Sequence, residues 1–286
     1  MIDRLCIIGV GLIGGSLALA LRRAGMVNDI VGSSRRSEHL RRAVELGVID
    51  RFDLDAARAA EGADVIVLGV PLGAMRAVCE QIKGVFTDKT VLTDVGSAKA
   101  SVVNAVHSAF GTLPAGFVPA HPIAGTEKNG VEAAFAELFD GRRVVLTPLQ
   151  SSSVRAIRRV HEMWSATGAI VEQTGIEHHD QVLAATSHLP HMLAFALVDS
   201  LARMGDHDEI FRFAAGGFRD FTRIASSDPV MWRDICVANR NALLDMMARF
   251  QDDLTIISDA IERGDGQTLL EIFNRAKQAR DRLKIG

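Results

Sequence analysis

Residues 4–15 contain the stretch that decides the fold and read Arg4-Leu5-Cys6-Ile7-Ile8-Gly9-Val10-Gly11-Leu12-Ile13-Gly14-Gly15. The aliphatic run up to Gly9 predicts a buried strand, and residues 12–24 have the apolar spacing of a helix. A Gly-x-Gly-x-x-Gly pattern between a strand and a helix indicates a dinucleotide-binding turn, because its glycines permit a tight turn, close approach of the pyrophosphate and close packing of the helix. The alternative is a glycine-rich structural turn. We expect this turn to hold the cofactor through Gly9, Gly11, Leu12, Ile13 and Gly14.

The alternation continues through the N-terminal half of the chain. Further strands are predicted at residues 29–32, 64–70, 90–95, 117–120 and 144–147, and helices at 38–46, 72–83 and 98–110. Strands that alternate with helices predict a parallel, doubly wound sheet of the Rossmann type. Beyond Pro148 only helical patterns occur. We therefore expect a nucleotide-binding domain over residues 1–151 and an all-helical domain over residues 152–286.

The end of the second predicted strand bears on the choice between NAD and NADP. NAD-binding proteins tend to place a carboxylate there to hold the ribose 2′-hydroxyl. Here the chain reads Ser33-Ser34-Arg35-Arg36, and hydroxyls with guanidiniums suit a 2′-phosphate instead. We expect NADP, with NAD or a merely solvated basic turn as the alternatives. Val70 and Pro71, where another predicted strand ends, are also expected to line the cofactor site.

Composition excludes several classes of protein. The chain contains no tyrosine, so it cannot be a short-chain dehydrogenase, whose proton donor is a Tyr/Lys pair. Its three cysteines, Cys6, Cys79 and Cys236, are far apart, which argues against a structural metal site or disulfides and fits a reducing cytoplasm. The net charge of −3 and the lack of a basic block argue against nucleic acid as a partner. Glycines interrupt the apolar run near the N-terminus, so we expect neither a targeting segment nor a membrane span.

Three of the nine histidines stand out as candidates for proton transfer. His121 follows a predicted strand, and ligands of open α/β sheets bind beyond the carboxyl ends of strands. Ser97 ends another predicted strand, where its hydroxyl would orient that imidazole. His188 and His191 flank a proline at a spacing that puts both on one helix face. A kinked core helix with satisfied histidines is the alternative. Most of the nine histidines lie in polar or loop contexts and are expected to be solvent-exposed. We expect no metal site.

Two features of the C-terminal half leave alternatives open. Arg219 and Arg223 follow a Gly-Gly turn, and arginine binds carboxylates through paired hydrogen bonds. Arg219 beside Asp220 is equally consistent with a surface ion pair, and spacing alone does not decide for Arg223. An a/d pattern fits either an ordinary helix face or a helix that packs on its copy in a dimer; its members are Leu243, Met247, Phe250, Leu254, Ile257 and Ile261.

Together these motifs resemble the prephenate and arogenate dehydrogenases, also called cyclohexadienyl dehydrogenases. The matching stretches are GVGLIGGS, TDVGSAK, HPIAGTEKNGVEAA, ATSHLPHMLAFALVDSL and GGFRDFTRIASSDPVMWRDI, which lie between residues 9 and 235. The resemblance implies a nucleotide-binding domain followed by a helical dimerisation domain, a homodimer and oxidative decarboxylation in tyrosine biosynthesis. It implies that His121 is the catalytic histidine, Ser97 its hydroxyl partner and Arg223 the ligand of the ring carboxylate. The implied lining of the substrate pocket is Thr126, Glu127, Ser187, His188, His191, Gly216 and Trp232.

The implied reaction leaves the substrate open. Prephenate and arogenate differ by a keto or an amino group, and no residue can be assigned to read that difference. With no additional ligand-binding domain expected, any inhibition by L-tyrosine would act at the active site. The rival interpretations are a β-hydroxyacid or imine reductase, which relies on a lysine or aspartate in its helical part, and a non-catalytic NADP sensor.

Overall fold

The computed structural model describes residues 1–126, 128–205 and 207–282. The strands in these ranges are β1 (Ile2–Ile8), β2 (Val27–Ser33), β3 (Arg51–Phe52), β4 (Val65–Leu68), β5 (Val91–Asp94), β6 (Ala120–Pro122), β7 (Arg143–Leu146) and β8 (Ile170–Gln173). The α-helices are α1 (Leu12–Arg23), α2 (Ser37–Glu45), α3 (Ala56–Ala60), α4 (Met75–Ile82), α5 (Lys99–Phe110), α6 (Val154–Ser165), α7 (Ile176–Leu183), α8 (Leu189–Ala202), α9 (His207–Arg212), α10 (Gly216–Thr222), α11 (Pro229–Ala238), α12 (Arg240–Glu262) and α13 (Gly266–Arg282).

A five-stranded sheet forms the first layer, in the order β3-β2-β1-β4-β5. All its strand pairs are parallel, with Cys6 of β1 level with Val31 of β2 and Ile66 of β4. The central strands are buried on both faces, as expected for a parallel sheet that helices cover on each side. The predicted parallel, doubly wound fold is confirmed. The short elements β3 and α3 were not predicted, because two and five residues carry too little periodicity.

The late strands form a separate three-stranded sheet, in the order β6-β7-β8. Strand β6 pairs antiparallel with β7, whereas β7 and β8 are parallel. Phe117, where we expected a strand to begin, makes only a parallel bridge to Leu92 of β5. We also expected no strand beyond residue 152, and β8 shows that this was wrong. Its sequence Ile-Val-Glu-Gln is short and largely exposed, so it lacks the apolar run by which buried strands are recognised.

Helix α6 lies beyond the boundary that we expected between residues 151 and 152. Ser153 caps it by accepting a hydrogen bond from the backbone N–H of Ala156. Val160 and Trp164 of this helix belong to the same buried cluster as the residues of β1. The chain separates into two compact units, Met1–Arg240 and Asn241–Gly286. The division into domains of residues 1–151 and 152–286 stays a prediction.

The glycine turn joins β1 to α1 under tight steric limits. Gly9 has a φ of +100°, and a Cβ there would lie 2.3 Å from the carbonyl oxygen of Gly69. A Cβ on Gly14 would lie 2.5 Å from the carbonyl oxygen of Gly9. Both positions therefore exclude any side chain. A Cβ on Gly11 would meet no atom within 4 Å, so backbone at that point is open to a ligand.

Helices α7 and α8 are joined by a π-helical turn at Ala184–His188. Pro190, in the first turn of α8, has no N–H with which to continue an α-helical ladder, and the wider turn lies directly before it. The continuous stretch Ile176–Ala202 is long and apolar enough, by length and composition only, to cross a membrane. It also carries several of the buried polar side chains described below.

The second unit contains nearly all of α12 and the helix α13. The predicted a/d pattern lies on α12 as one continuous helix of 23 residues. Leu254 and Ile261 in this pattern are 47% and 63% exposed, and Leu270 and Phe273 of α13 are 53% and 56% exposed. Large apolar side chains of this unit are thus exposed in the part of the chain that the structure describes.

Candidate active site

His121 lies on β6 and is 8% exposed. Its Nδ1 is 2.9 Å from Nε2 of His179 on α7. The other ring nitrogen of His179, Nδ1, is 2.8 Å from Oδ1 of Asp180. Three buried side chains therefore form a hydrogen-bonded line from a carboxylate to His121. Within the described residues, Nε2 of His121 takes no part in a hydrogen bond, so this nitrogen is the one left for a substrate.

Two features of this line were not expected from the sequence. His179 lies against Nδ1 of His121, whereas the expected partner was Ser97, whose role stays a prediction. We also expected most of the histidines to be solvent-exposed and did not single out His179, which is 1% exposed. Its neighbours Glu177 and His178 are polar and exposed. The polar stretch therefore gave no indication that His179 is buried. The one available signal was its spacing of four residues from the buried Leu183.

Asp180 is held by the beginning of α5. Its Oδ1 accepts the backbone N–H of Lys99 at 2.8 Å, and its Oδ2 accepts that of Ala100 at 2.9 Å. Burial alone would raise the pKa of Asp180, but the hydrogen bonds from His179 and from the two backbone N–H groups keep that pKa below its ordinary 3.8. The carboxylate is therefore charged at neutral pH and fixed in position.

A fully buried ion pair fixes the backbone next to His121. Nζ of Lys99 donates to Oδ2 of Asp94 at 2.5 Å and to the carbonyl of Ala120 at 2.6 Å. Asp94 in turn accepts the backbone N–H groups of Gly96 and Ala120. The N–H of Ala120 is thus tied to Asp94 at the end of β5, and its carbonyl to Lys99 at the beginning of α5. The pair sets the position of the residue that follows, His121.

The surroundings of His121 disfavour its protonated form. Burial is the largest cause that lowers its pKa well below the ordinary 6.5, and the charge of Lys99 and the imidazoles of His179 and His188 lower it further. A neutral imidazole with one lone pair free is the form that accepts a proton. The geometry and the electrostatics both prepare His121 for that task.

His188, in the π-helical turn, is 1% exposed and is held by the end of α11. Nδ2 of Asn239 lies 3.0 Å from its Nδ1 and donates to the carbonyl of Asp180 at 2.8 Å. Burial lowers the pKa of His188 to about 4, so it is neutral near pH 7. Its Nε2 is buried and has no hydrogen-bond partner in the described structure.

His191 and Trp232 form a stacked pair, with ring centroids 3.6 Å apart and planes 17° from parallel. Nδ1 of His191 donates to the carbonyl of Ser187 at 2.9 Å, which leaves Nε2 for a ligand. Burial lowers the pKa of His191, the bond to Ser187 raises it, and the nearby charge of Arg223 lowers it. The structure thus brings Ser187, His188, His191, Trp232 and Arg223 into one neighbourhood, as expected.

Other expected site residues are not joined to this neighbourhood by hydrogen bonds in the described structure. Thr126 is exposed and accepts the backbone N–H of Lys128. Gly216 begins α10 and is exposed. Ser97 is half-buried at the end of the loop that follows β5. Glu127 lies outside the described residues. Their roles stay predictions.

The glycine turn fits a dinucleotide. Gly11 is the N-terminal cap residue of α1, so no side chain of that residue caps the first N–H groups of the helix. The space that a Cβ on Gly11 would face is open. The free N–H groups and positive dipole end of a helix suit a pyrophosphate. At the end of β2, Ser33 is buried, whereas Arg35 and Arg36 are exposed and Ser34 bonds the backbone of Arg36. Val70 and Pro71 stand at the end of β4 on the same sheet edge.

Family comparisons match nearly the whole chain. The family description "Prephenate dehydrogenase, nucleotide-binding domain" matches residues 17–173, and "Prephenate dehydrogenase, dimerization domain" matches residues 176–275. The cyclohexadienyl dehydrogenase of Zymomonas mobilis is 39% identical over 284 residues, which cover 98% of this chain and 96% of that protein.

Solved structures give the same result. The prephenate dehydrogenase of A. aeolicus, in complex with hydroxyphenyl propionate and NAD+, is 36% identical with a TM-score of 0.92, over 98% of each chain. The arogenate dehydrogenase of Synechocystis is 27% identical with a TM-score of 0.81, over 97% of this chain and 99% of that one.

Proposed function

This chain belongs to the prephenate dehydrogenase family, and on that premise we propose that it oxidatively decarboxylates prephenate, L-arogenate or both. The products would be 4-hydroxyphenylpyruvate and L-tyrosine, in the cytoplasmic biosynthesis of tyrosine, with reduction of a nicotinamide cofactor. The observation that carries the proposal is the neutral, buried His121, whose Nδ1 is engaged and whose Nε2 is left for a substrate hydroxyl.

The residues of the chain suffice to position such a substrate. Nε2 of His121 would accept the proton of the ring 4-hydroxyl, which raises electron density at C4 as hydride departs. When bound, the nicotinamide cofactor supplies the acceptor for that hydride. The bond from C1 to the carboxylate breaks, carbon dioxide leaves, and the electron pair completes the aromatic ring. Because the product is a phenol, the proton held by His121 can return to its oxygen.

Arg223 is proposed to hold the ring carboxylate. It lies close enough to His191 for its charge to affect that imidazole. A guanidinium binds a carboxylate through two parallel hydrogen bonds and so fixes its direction as well as its distance. Aromatisation already favours the reaction, so correct placement of the reacting atoms is the main task of the site.

A spectrophotometric assay tests the proposed function directly. The protein is mixed with NADP⁺ or NAD⁺ and with prephenate or arogenate, and the reduced cofactor is followed by its absorbance. We expect turnover in at least one of the four mixtures. Turnover in none of them would overturn the proposal and favour a non-catalytic sensor.

We further propose that NADP is the preferred cofactor, because the turn after β2 carries Arg35 and Arg36 and no carboxylate. Arg35→Gln and Arg36→Gln should each lower kcat/KM for NADP⁺ about 10- to 100-fold, the usual effect of losing a hydrogen bond to a charged group. The same variants should change kcat/KM for NAD⁺ little. Arg41→Gln, an exposed arginine further along α2, is the matched control. More efficient use of NAD⁺ than of NADP⁺ by the unaltered protein would refute the preference.

L-Tyrosine is proposed to inhibit at the active site itself. It carries the phenol ring of the aromatic product, so it would occupy the pocket near His121 and Trp232. The expected result is competitive inhibition, in which tyrosine raises KM for the substrate and leaves kcat unchanged. Steady-state rates at several tyrosine concentrations measure this, and inhibition that lowers kcat at unchanged KM would contradict it.

We also propose a homodimer. The matched C-terminal region is described as a dimerization domain, and the a/d pattern on α12 includes side chains that the chain leaves exposed. A helix that packs on its copy through such a pattern would bury them.

A further inference from the structure

The line of side chains from Asp180 to His121 determines which nitrogen of each ring carries a proton. Asp180 is an acceptor only, so Nδ1 of His179 must donate to it. In neutral His179, Nε2 is then an acceptor, and Nδ1 of His121 must donate to that atom. The proton of His121 therefore resides on Nδ1, and the lone pair is on Nε2. Asp180 thus sets the tautomer of His121 through His179, which lies between them.

We propose that His179 and Asp180 act as a positioning pair for His121 and receive its Nδ1 proton while Nε2 takes the proton of the substrate. The inference rests on the proposed function for its rate measurements. In this step, the bond between hydrogen and Nδ1 of His121 breaks and a bond between that hydrogen and Nε2 of His179 forms. At the same time the O–H bond of the substrate hydroxyl breaks and a bond between that hydrogen and Nε2 of His121 forms, so His121 stays neutral and the positive charge is on His179. The reverse transfer restores the resting state when the proton leaves Nε2.

Charge placement explains why the transfer would help. A positive charge on His121 is disfavoured by burial and by Lys99 nearby. Moving the charge to His179 places it against the carboxylate of Asp180, 2.8 Å away. Asp180 is not free to turn away, because the backbone N–H groups of Lys99 and Ala100 hold both its oxygens. The charge that arises in the reaction is therefore carried to the one fixed carboxylate of the line.

The tautomer of His121 can be measured without any activity. In protein labelled with ¹⁵N-histidine, NMR distinguishes a protonated ring nitrogen from an unprotonated one. We expect His121 near neutral pH to carry its proton on Nδ1, with Nε2 unprotonated, and His121→Asn identifies its signals. A resting His121 with its proton on Nε2 would overturn the inference whether or not the protein proves to be a dehydrogenase.

Substitutions of His179 separate tautomer control from proton transfer. In His179→Gln, the amide oxygen can still accept a hydrogen bond from Nδ1–H of His121, but the amide is not basic enough to take up that proton. His179→Phe fills the space and offers neither. We expect kcat to fall about tenfold or more in His179→Gln and further in His179→Phe, within the 10²–10⁴-fold that a general base contributes. KM for the substrate should stay unchanged, because His179 does not touch it. Equal rates for Gln and Phe would indicate mere packing and contradict the inference.

The pH dependence of the rate gives a readout that packing would not change. The groups that face His121 are Lys99 of α5, His179 of α7 and His188 of the π-helical turn. Burial holds the pKa of His121 well below its ordinary 6.5, and a proton added at Nε2 of His121 removes the free lone pair there. Activity should therefore persist as pH falls to 6.5 and be lost at lower pH.

Asp180→Asn is the matched variant for this profile. Loss of the negative charge makes His121 and His179 harder to protonate, so the acidic loss of activity should move to lower pH while kcat at neutral pH falls about tenfold or more. If Asp180→Asn lost activity at the same acidic pH as the unaltered protein, or kept a normal kcat, the inference would be overturned. If the unaltered protein turns over no substrate, the proposed function fails instead, and the NMR result still decides the tautomer.

Discussion

Replacement of His121 by asparagine is expected to lower kcat about 10²–10⁴-fold, the range that a positioned general base contributes. Asparagine has nearly the same size and can donate a hydrogen bond from its amide to Nε2 of His179, so the local fold should persist. It offers no lone pair of comparable basicity toward the substrate. The loss should therefore appear in kcat and leave cofactor binding unchanged.

The measurement is steady-state turnover of His121→Asn beside the unaltered protein, with cofactor affinity measured by fluorescence titration. His161→Asn is the matched control, because His161 is an exposed histidine on α6 whose Nδ1 lies 3.4 Å from the hydroxyl of Ser165. The control should keep the full rate. A near-normal kcat in His121→Asn would remove His121 from its role and leave no base at the end of β6.

Replacement of Lys99 by methionine is expected to lower the free energy of unfolding by about 3–5 kcal/mol, the usual cost of removing one partner from a buried ion pair. Lys99 and Asp94 have fully buried side chains. Without the ammonium, the carboxylate of Asp94 keeps its two backbone N–H donors but loses its counter-charge. The carbonyl of Ala120 loses a donor as well.

Urea unfolding at one fixed protein concentration measures this loss. Lys83→Met, which changes an exposed lysine at the end of α4, should alter stability by no more than about 0.5 kcal/mol. The double variant Lys99→Met with Asp94→Asn removes both charges and should be more stable than Lys99→Met alone. If Lys99→Met matched Lys83→Met in stability, the buried pair would not have the structural role assigned to it.

The nucleotide-binding fold could be predicted from the sequence because its signals are local. The strand before Gly9, the glycines themselves and the helix after them all lie between residues 2 and 23. Gly9 and Gly14 are each required by the backbone around them. Strand β8 escaped prediction for the opposite reason. It is held by its pairing with β7 and not by an apolar pattern of its own.

The site was predictable only in part. His121, His191 and Arg223 stand in distinctive motifs, and the structure supports their proximity to one another or to shared neighbours. His179 and Asp180 stand in a polar stretch that resembles an exposed helix. Asp180 is held in place by backbone N–H groups of α5, about 80 residues earlier in the chain. Lys99 and Asp94 likewise depend on the peptide of Ala120. Partners so far apart in the chain leave no local pattern.

We predict that the protein oxidises its substrate and decarboxylates it in one reaction. The most direct measurement follows reduced cofactor and released carbon dioxide together, with prephenate and with arogenate, and identifies the aromatic product. We predict one carbon dioxide and one phenolic product for each cofactor reduced. Cofactor reduction without release of carbon dioxide, or cofactor binding with no turnover of either substrate, would contradict the claim.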